Sequence, residues 1–481
     1  MKAANAILYF FLVAVMAISC GKSFLDNPPR DVILREAYAK DLHSCQELLN
    51  GSHVELVSAL GLLGLMYGDL MADNIKPFES QTYFSEFYKW NLHATRESDQ
   101  SSGSELNANY LVYQLYSVAR STSFIIERAT GFRKEDPQWS DQIVGSAMTI
   151  RVLVHSALLN ILAQPANFTS QGAHAGIVYV TSSDWTRPPA LGRESVGAVY
   201  GHLQEELKKA AALMGPIKDE NTAFSRDMAY ALLSRISLYA GNYTGALEAA
   251  KKALEGHPLL TIEKGYPDGM YRSLKMSESE SYYQLLPAIS NELGNNGYST
   301  GFPSYLYRYK IYGAGADIAA SLQTDPADVR SGWVTKEGDN WSITKFPMGV
   351  VPDVDIPETS YFLPIVRVSE VVLNAAEAAY YLQQPAQAQM YLNQIRLRAR
   401  PGALPIMPTG TALQDAIRTE RNKELAFEGS RLFDLLRWKM AVKRSDPADP
   451  EAALLPYPSN RAVAPIPQMD ISANIPQNPG Y

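Results

Sequence analysis

A stretch of thirty-three residues, from 226 to 258, constrains the fold more than any other part of the chain. It reads RDMAYALLSRISLYAGNYTGALEAAKKALEGHP, in which two helical patterns are separated by a turn at Gly241. Ala246 and Ala250 are small where the two helices touch, and Pro258 ends the unit. A single helical hairpin buries too little apolar surface to be stable alone, so the pattern predicts a body of stacked helix pairs.

A second unit of the same kind follows at 368–399, which reads VSEVVLNAAEAAYYLQQPAQAQMYLNQIRLRA. Ala376 and Ala388 lie twelve positions apart, as do Ser234 and Ala246 in the first unit. Both stretches have the spacing of tetratricopeptide repeats. Two units are fewer than the three or so that an independent solenoid requires, so further helices must complete the stack.

Three other stretches predict helices that complete it. Apolar residues recur at helical spacing over 111–130, over 142–165 as far as Pro165, and over 195–214. The first two of these read as an antiparallel pair. With 481 residues, the chain is long enough for two or three domains or for one body built from repeats.

The stretch from 421 to 441, RNKELAFEGSRLFDLLRWKMA, mixes charges with leucine, phenylalanine and tryptophan, and it predicts one buried helix. Its charged residues recur at spacings of three or four and alternate in sign, which predicts a structural ion ladder. The members of this ladder are Arg421, Glu424, Glu428, Arg431 and Asp434. An acid/base pair of Glu424 and Glu428 is the weaker interpretation, because neighbouring arginines would keep both ionised. Gly429 indicates that something packs against the backbone there.

Residues 259–366 differ from the rest, since they are rich in Gly, Pro, Tyr and Asn, and they predict a loop-rich insertion with short strands. Tyr305, Tyr307 and Tyr309 alternate as in a strand with one aromatic face. Aromatic rings on loops can stack on sugars or fill peptide pockets. The candidate ligand-binding residues are Trp90, Tyr298, Tyr307, Trp333 and Trp341. We expect most tyrosines of this region to fill the core between the insertion and the scaffold. We expect at least one of Trp90, Tyr298, Trp333 and Trp341 to contact ligand.

Composition and motifs argue against several functional classes. The net charge of −7 disfavours a nucleic-acid binder. No zinc, calcium, nucleotide or hydrolase motif is present, so we expect no catalytic residue, metal or cofactor. The seven histidines are scattered, and each is expected on the surface or at a helix cap. Cys45 is expected to be a small buried apolar residue.

The N-terminus reads as a secretory signal. Lys2 precedes an apolar run over residues 6–18, too short for a stable membrane span, and the run ends in AISC at Cys20. A cysteine after small residues at this place resembles a bacterial lipobox, which implies lipidation of Cys20. The alternative is an ordinary signal peptide with a coincidental cysteine. We predict a signal peptide at 1–19 and a lipidated tether at 20–30.

Several of these stretches together resemble the SusD/RagB family of outer-membrane nutrient-uptake lipoproteins. RNKELAFEGSRLFDLLRW (421–438) is similar to its signature segment, and AVAPIPQMDISANIPQNPGY (462–481) is similar to its terminal motif. YFLPIVRVSEVVLNAAEAAY (361–380) is similar to the stretch before the signature, and DPADVR (325–330) resembles a short Asp-x-Arg element. The resemblance spans the mature chain and is strongest from residue 361 onward.

This resemblance implies an all-α fold, a tetratricopeptide-like scaffold with a large loop-rich insertion. It divides the chain into an N-terminal helical region at 31–258 and a C-terminal region at 259–481, itself loop-rich over 259–366, helical over 367–441 and a tail over 442–481. It implies a non-catalytic lipoprotein, anchored in the outer membrane and facing the cell surface. Such a protein captures oligosaccharides or peptides for a TonB-dependent (SusC/RagA-like) transporter.

Two other functions fit the residues. A secreted glycoside hydrolase on a helical scaffold would need two nearby carboxylates, and Asp69 and Asp73 are the closest candidates by spacing. A periplasmic tetratricopeptide adaptor would instead bind protein partners in a concave groove.

Overall fold

Helices dominate the molecule. The computed structural model describes residues 35–79, 82–94, 107–184, 192–286, 307, 310–346, 362–468 and 474–481. Its α-helices are α1 (Arg35–Tyr38), α2 (Leu42–Ala59), α3 (Leu65–Leu70), α4 (Ser85–Tyr88), α5 (Ala108–Gly131), α6 (Pro137–Leu162), α7 (Val196–Leu213), α8 (Arg226–Tyr239), α9 (Tyr243–Leu254), α10 (Met276–Ser279), α11 (Ala316–Gln323), α12 (Val368–Tyr381), α13 (Pro385–Ala399), α14 (Gly410–Glu424) and α15 (Arg431–Arg437). A π-helical turn, Leu60–Gly64, joins α2 to α3.

The antiparallel pair predicted in the N-terminal half is confirmed as α5 and α6, and α7 packs on α6. Each helix begins at a side-chain cap, since Asn107, Asp136 and Ser195 accept hydrogen bonds from backbone N–H groups three residues further on. Helix α6 starts five residues earlier than predicted because Asp136 and the proline after it form a strong start signal.

Helix α6 is also long and apolar enough to cross a membrane by length and composition. However, 83% of its apolar window is buried inside the described molecule, where α5, α7 and α2 surround it. It therefore serves as the central core helix of the N-terminal half.

The two tetratricopeptide-like units form as predicted. Helices α8 and α9 make the first hairpin, α12 and α13 make the second, and α9 packs on α12 so that the units stack. Tyr243 and Tyr381 stack across the junction with ring centroids 4.2 Å apart. Asn374 donates a hydrogen bond to Ser234 between the two units. Helix α14 then packs on α12 and α13 and extends the stack.

The single helix predicted over 421–441 is wrong. Helix α14 ends at Glu424, α15 begins at Arg431, and the chain between them turns through left-handed conformations at Phe427 (φ +67°) and Gly429 (φ +81°). We call residues 425–430 the signature turn. The helix breaks because tertiary contacts use the backbone here: the N–H of Gly429 donates to Asp69 at 2.7 Å.

The prediction of close packing at Gly429 is confirmed. A Cβ atom on Gly429 would lie 1.7 Å from the carbonyl oxygen of Leu65, and a Cβ on Gly68 would lie 2.0 Å from the carbonyl oxygen of Gly429. Helix α3 and the signature turn thus contact each other backbone to backbone, at a distance that only glycine allows.

Short strands occupy the loop-rich region, as predicted. The strands are β1 (Ile75–Pro77), β2 (Ser281–Leu285), β3 (Tyr312–Ala314), β4 (Val334–Glu337), β5 (Asn340–Ile343), β6 (Leu363–Arg367), β7 (Val442–Lys443) and β8 (Leu454–Leu455). Strands β2 to β6 belong to that region, and β1, β7 and β8 lie outside it. One antiparallel sheet has the order β1-β3-β5-β4, and β2–β6 and β7–β8 form two-stranded pairs. The proposed strand at Tyr305–Tyr309 lies, apart from Tyr307, outside the described residues.

Two predictions about single residues have different outcomes. Cys45 is fully buried in the core, as predicted. The prediction that histidines lie at the surface or at caps is wrong for His155, which is fully buried on α6. Its two ring nitrogens bond to the carbonyl oxygen of Arg151 and to the N–H of Val180. Burial lowers the pKa of His155 to about 3, so it is a neutral core residue.

Candidate ligand-binding surface

A β-hairpin carries Trp341, one of the aromatic residues that the sequence predicted to bind ligand. Among those of them that the structure describes, it alone has a partly exposed ring. Strands β4 and β5 pair from Val334 to Ile343 around a two-residue turn, in which Gly338 has a φ of +60° as such tight turns require. Trp341 is only partly buried and faces Lys336 across the hairpin, with the ammonium 5.8 Å from the ring centroid. We call β4 and β5 the tryptophan hairpin.

The tryptophan hairpin joins a sheet whose other strands bring more aromatic residues. Trp341 pairs with Ala314 on β3, and Tyr312 of the same strand donates its hydroxyl hydrogen to the carbonyl oxygen of Tyr83 at 2.8 Å. The Tyr83 side chain itself is 62% exposed. An exposed aromatic ring is the kind of surface on which a sugar can stack. The sequence analysis missed Tyr83, which no local pattern distinguished from the other tyrosines.

Buried ion pairs hold the chain in place at the start of the tryptophan hairpin. Arg330 lies in the 3₁₀ helix Val329–Trp333, just before β4, and its guanidinium is fully buried. It donates to Asp328 at 2.8 Å and to Glu424 at 3.0 Å, and it forms an ion pair with Glu420 at 2.7 Å. The segment just before the hairpin is therefore bonded to the end of α14.

Lys345 fastens the other end, two residues after β5. Its ammonium donates to the carbonyl oxygens of Glu424 and Ala426, at 3.1 and 2.8 Å, and pairs with Glu428. It also lies 4.1 Å from the ring centroid of Trp333. Burial lowers the pKa of Lys345 to about 8, although Glu428 opposes that shift. The tryptophan hairpin is thus anchored at both ends, to the end of α14 and to the signature turn.

Glu424 is the centre of this charge cluster. Its carboxylate accepts hydrogen bonds from Arg330, Arg367 and Arg398 at 3.0, 2.7 and 2.7 Å. Burial alone would raise the pKa of Glu424, but these three guanidinium groups hold it well below its usual value. A carboxylate in this state cannot donate a proton, which favours a structural role over acid catalysis.

Comparison with known proteins agrees with this architecture. Residues 340–481 match a family model described as the SusD family, and residues 24–238 match one described as starch-binding associating with outer membrane. The SusD-like protein P38 of Formosa agariphila is 22% identical, with 92% of this chain and 93% of its own length aligned. The chain belongs to the SusD/RagB family.

Solved structures of SusD/RagB relatives have the same fold. A SusD superfamily protein of Bacteroides thetaiotaomicron is 26% identical, aligns over 91% of this chain and 100% of its own, and has a TM-score of 0.79. A putative sugar binding protein of Bacteroides vulgatus is 24% identical and aligns over 92% of this chain and 99% of its own, with a TM-score of 0.77. These likenesses confirm the predicted all-α SusD-like scaffold.

The family's signature segment forms no ladder along one helix in this chain, so that part of the prediction is wrong. Of the five predicted members, Arg421 and Asp434 pair with each other at 2.7 Å. The remaining three pair with residues from other segments: Glu424 with three arginines, Glu428 with Arg367 and Lys345, and Arg431 with Asp73. The turn after α14 points these side chains at other elements. The sequence signal that could have predicted these pairings was a basic residue in an otherwise apolar strand, Arg367 in LPIVR.

The other predicted aromatic contacts have different environments. Trp90 is 4% exposed and donates its indole N–H to the carbonyl oxygen of Met71. Trp333 is 2% exposed beside Lys345, and Tyr307 is buried against Phe346 and Phe427. Rings so enclosed offer no free face to a sugar, so the structure contradicts these three as ligand contacts. Tyr298 and Cys20 lie outside the described residues.

The carboxylates proposed for a hydrolase are both bonded to other parts of the molecule. Asp69 is buried and accepts the N–H of Gly429, while Asp73 forms a bidentate pair with Arg431 at 2.7 and 2.8 Å. Both oxygens of Asp73 are therefore engaged in holding α15 against the β1 region. Within the described ranges, no group of three or more potential metal-binding side chains occurs.

Proposed function

We propose that this protein is a surface-exposed, lipid-anchored and non-catalytic binding protein that captures oligosaccharides and delivers them to a TonB-dependent transporter of the outer membrane. The family description names starch binding and outer-membrane association, and a structural relative is described as a sugar binding protein. Both favour a glycan over the peptide alternative.

The observation that carries the proposal is the tryptophan hairpin. Trp341 keeps part of its ring accessible while buried charges fix the chain on both sides of it. A ring fixed before binding loses little conformational entropy when a sugar stacks on it. The role of Glu424 as a fully paired anion supports binding without catalysis.

The test is binding of the purified protein to a panel of plant and host glycans and to mixed oligopeptides, measured by isothermal titration calorimetry. Trp341→Ala should weaken glycan binding by about two- to tenfold, since one aromatic stacking contact contributes roughly 0.5–1.5 kcal/mol. Tyr113→Ala is the matched control, because Tyr113 is an exposed ring on α5, far in sequence from the hairpin. It should bind as the wild type does.

Other outcomes reject parts of the proposal. Peptide binding without glycan binding would replace the cargo class, and release of sugar from any glycan would reject the non-catalytic role. Glycan binding that is equal in both variants would move the site away from the tryptophan hairpin.

A further inference from the structure

The most exposed large apolar side chain among the described residues, Leu404, lies on the loop between α13 and α14. It is 82% exposed, and Met407 on the same loop is 67% exposed. We call residues 401–409 the apolar loop. Single exposed apolar residues are ordinary on a protein surface, but several grouped on one segment mark an interaction surface.

Buried amide side chains of α13 hold the apolar loop in place. The side chain of Asn393 donates to the carbonyl oxygen of Ile406 at 2.8 Å and accepts from its N–H at 3.0 Å. Gln389 donates to the carbonyl oxygen of Pro408 at 2.8 Å. Met407 lies between these two bonded residues. The loop therefore presents its apolar side chains from a fixed backbone, which loses little entropy when a partner binds.

The charges close to the apolar loop in sequence are all positive. No aspartate or glutamate occurs between Glu377 and Asp415, although the chain as a whole has 50 acidic residues and a net charge of −7. The charged residues of that stretch are Arg396, Arg398 and Arg400. The loop is thus an apolar and basic segment in an acidic protein.

One of these arginines is available to a partner. Arg396 is partly exposed, and in the part of the chain that the structure describes it forms no ion pair. It donates to Asn393 at 3.2 Å, which places its guanidinium beside the residue that holds the apolar loop. Arg398 belongs to the buried charge cluster, and Arg400 pairs with Asp325.

A lipid surface matches this combination. In a bilayer an apolar core lies beneath a layer of phosphate groups, so exposed leucine and methionine with a guanidinium behind them complement both layers. The proposed anchor at Cys20 brings the bilayer within reach. At its longest, the chain from Cys20 to Arg35 spans about 50 Å, since an extended residue covers roughly 3.3–3.6 Å.

We propose that the apolar loop inserts Leu404 and Met407 into the surface of the outer membrane while Arg396 contacts lipid phosphates. This inference rests on the lipid anchor in the function proposed above. The lipid limits the distance of the body from the membrane, and the loop adds a preferred orientation. Two side chains are too few to retain the protein on a membrane without the lipid.

The test uses the purified lipoprotein in vesicles of phosphatidylethanolamine and phosphatidylglycerol. A fluorophore is attached at Met407→Cys, since the native Cys45 is fully buried and Cys20 would carry the lipid. Lipids with brominated acyl chains should quench this label, because interfacial side chains reach roughly 5–10 Å into the headgroup and acyl boundary. A label at Val54→Cys is the matched control, because Val54 is an apolar residue of α2 that is 54% exposed. It should not be quenched.

Further variants separate the apolar contact from the electrostatic one. Leu404→Glu should abolish the quenching of the label at position 407, and Val54→Glu should leave it unchanged. Arg396→Gln should weaken the insertion about fivefold, as expected for the loss of one cation near an anionic surface. This last effect should vanish in vesicles of phosphatidylcholine alone, which a purely structural role of Arg396 would not predict.

Several results would overturn the proposal. If the protein floats with the vesicles and the label at position 407 is not quenched, the anchor stands and the loop contact fails. Equal quenching at positions 407 and 54 would also reject a contact specific to the loop. A protein that does not float would reject the anchor and the loop contact together. A change in label emission that requires a high protein concentration would assign the loop to a second copy, and one seen only in native outer membranes would assign it to the transporter.

Discussion

Glycine at position 429 shows how one residue sets the path of the chain. Its φ of +81° disfavours any side chain, and a Cβ atom there would lie only 1.7 Å from the Leu65 carbonyl oxygen. Gly68 makes the reciprocal contact from α3. The absence of two side chains thus allows the N-terminal helices and the signature turn to meet.

We expect Gly429→Ala to lower the free energy of unfolding by more than about 3 kcal/mol, because backbone strain and a backbone clash add. Urea denaturation followed by circular dichroism would measure it. Gly201→Ala is the control, since Gly201 lies within α7 with open space around it and should gain slightly from helix propensity. Equal stability of the two variants would contradict this account of the signature turn.

Asp69 makes the stability depend on pH. Burial raises its pKa from 3.8 to about 7, and the hydrogen bond from Gly429 offsets only part of that shift. The folded state therefore binds this proton more tightly than the unfolded state does. The resulting stabilisation is complete below about pH 4 and is lost as the pH rises towards 7.

Asp69→Asn should remove this dependence. At about 1.4 kcal/mol for each pKa unit, the stability of the variant relative to the wild type should rise by up to about 4 kcal/mol between about pH 4 and pH 8. Denaturation curves across that range would measure the difference. Asp141→Asn should show no such rise over that range, because the hydrogen bond that Asp141 accepts from Arg133 lowers its pKa below 3.8 and confines its effect on stability to more acidic pH. A pH-independent difference for Asp69→Asn would reject a buried titrating carboxyl.

At the scale of elements, the charge cluster joins segments that are far apart in the chain. Glu424 ends α14, Arg367 ends β6, Arg398 lies on α13, and Arg330 precedes the tryptophan hairpin. Each cation compensates part of the cost of burying the central carboxylate. The cluster thereby fixes the orientation of the loop-rich region on the helical scaffold.

Glu424→Gln should destabilise the protein by about 3–5 kcal/mol, because it leaves buried guanidinium groups without their shared anion. It should also reduce glycan affinity, since the hairpin loses one of its anchors. Glu205→Gln, which removes an exposed ion pair with Lys208 on α7, should leave both quantities unchanged. If Glu424→Gln unfolds at the same denaturant concentration as that control, the cluster does not hold the elements together.

At the scale of the whole molecule, a stack of helix pairs supports a smaller region of strands and loops. The scaffold buries its apolar faces between α5, α6, α7 and the repeat hairpins, while the tryptophan hairpin lies in the insertion between the two repeat units. A rigid helical body beneath exposed loops is a common arrangement for binding proteins.

At the scale of the whole molecule, the proposed lipid anchor at Cys20 predicts how the protein is attached to the outer membrane. Cys20→Ser should release the protein from the outer-membrane fraction, because its attachment would rest on that one lipidated residue. Fractionation with immunoblotting would detect the change. Protease treatment of intact cells should cleave the wild-type protein if it faces the cell surface, and protection would favour the periplasmic adaptor. Retention of the Cys20→Ser variant in the membrane would reject the anchor.

Local patterns determined the helical scaffold. Helix periodicity, caps and the spacing of small residues predicted α5 to α9, α12 and α13 within a few residues, because each of these signals acts between neighbours along the chain. Of the stretches that carried the family resemblance, 361–380 overlaps one of these helices, α12. Short strands over 330–349 were also predictable from their turn residues, such as Gly338.

Only the tertiary structure decided the rest. The break in the signature helix depends on Asp69 and Leu65, and the Asp69–Gly429 bond joins positions 360 residues apart, which no local period encodes. The exposure of an aromatic ring also depends on its neighbours in space, so Trp341 remained partly open while Trp90 and Trp333 became core residues. The sequence by itself determined the helices of the scaffold, because the interactions that form them are local. Their contacts, and hence the candidate site, followed from packing between distant segments.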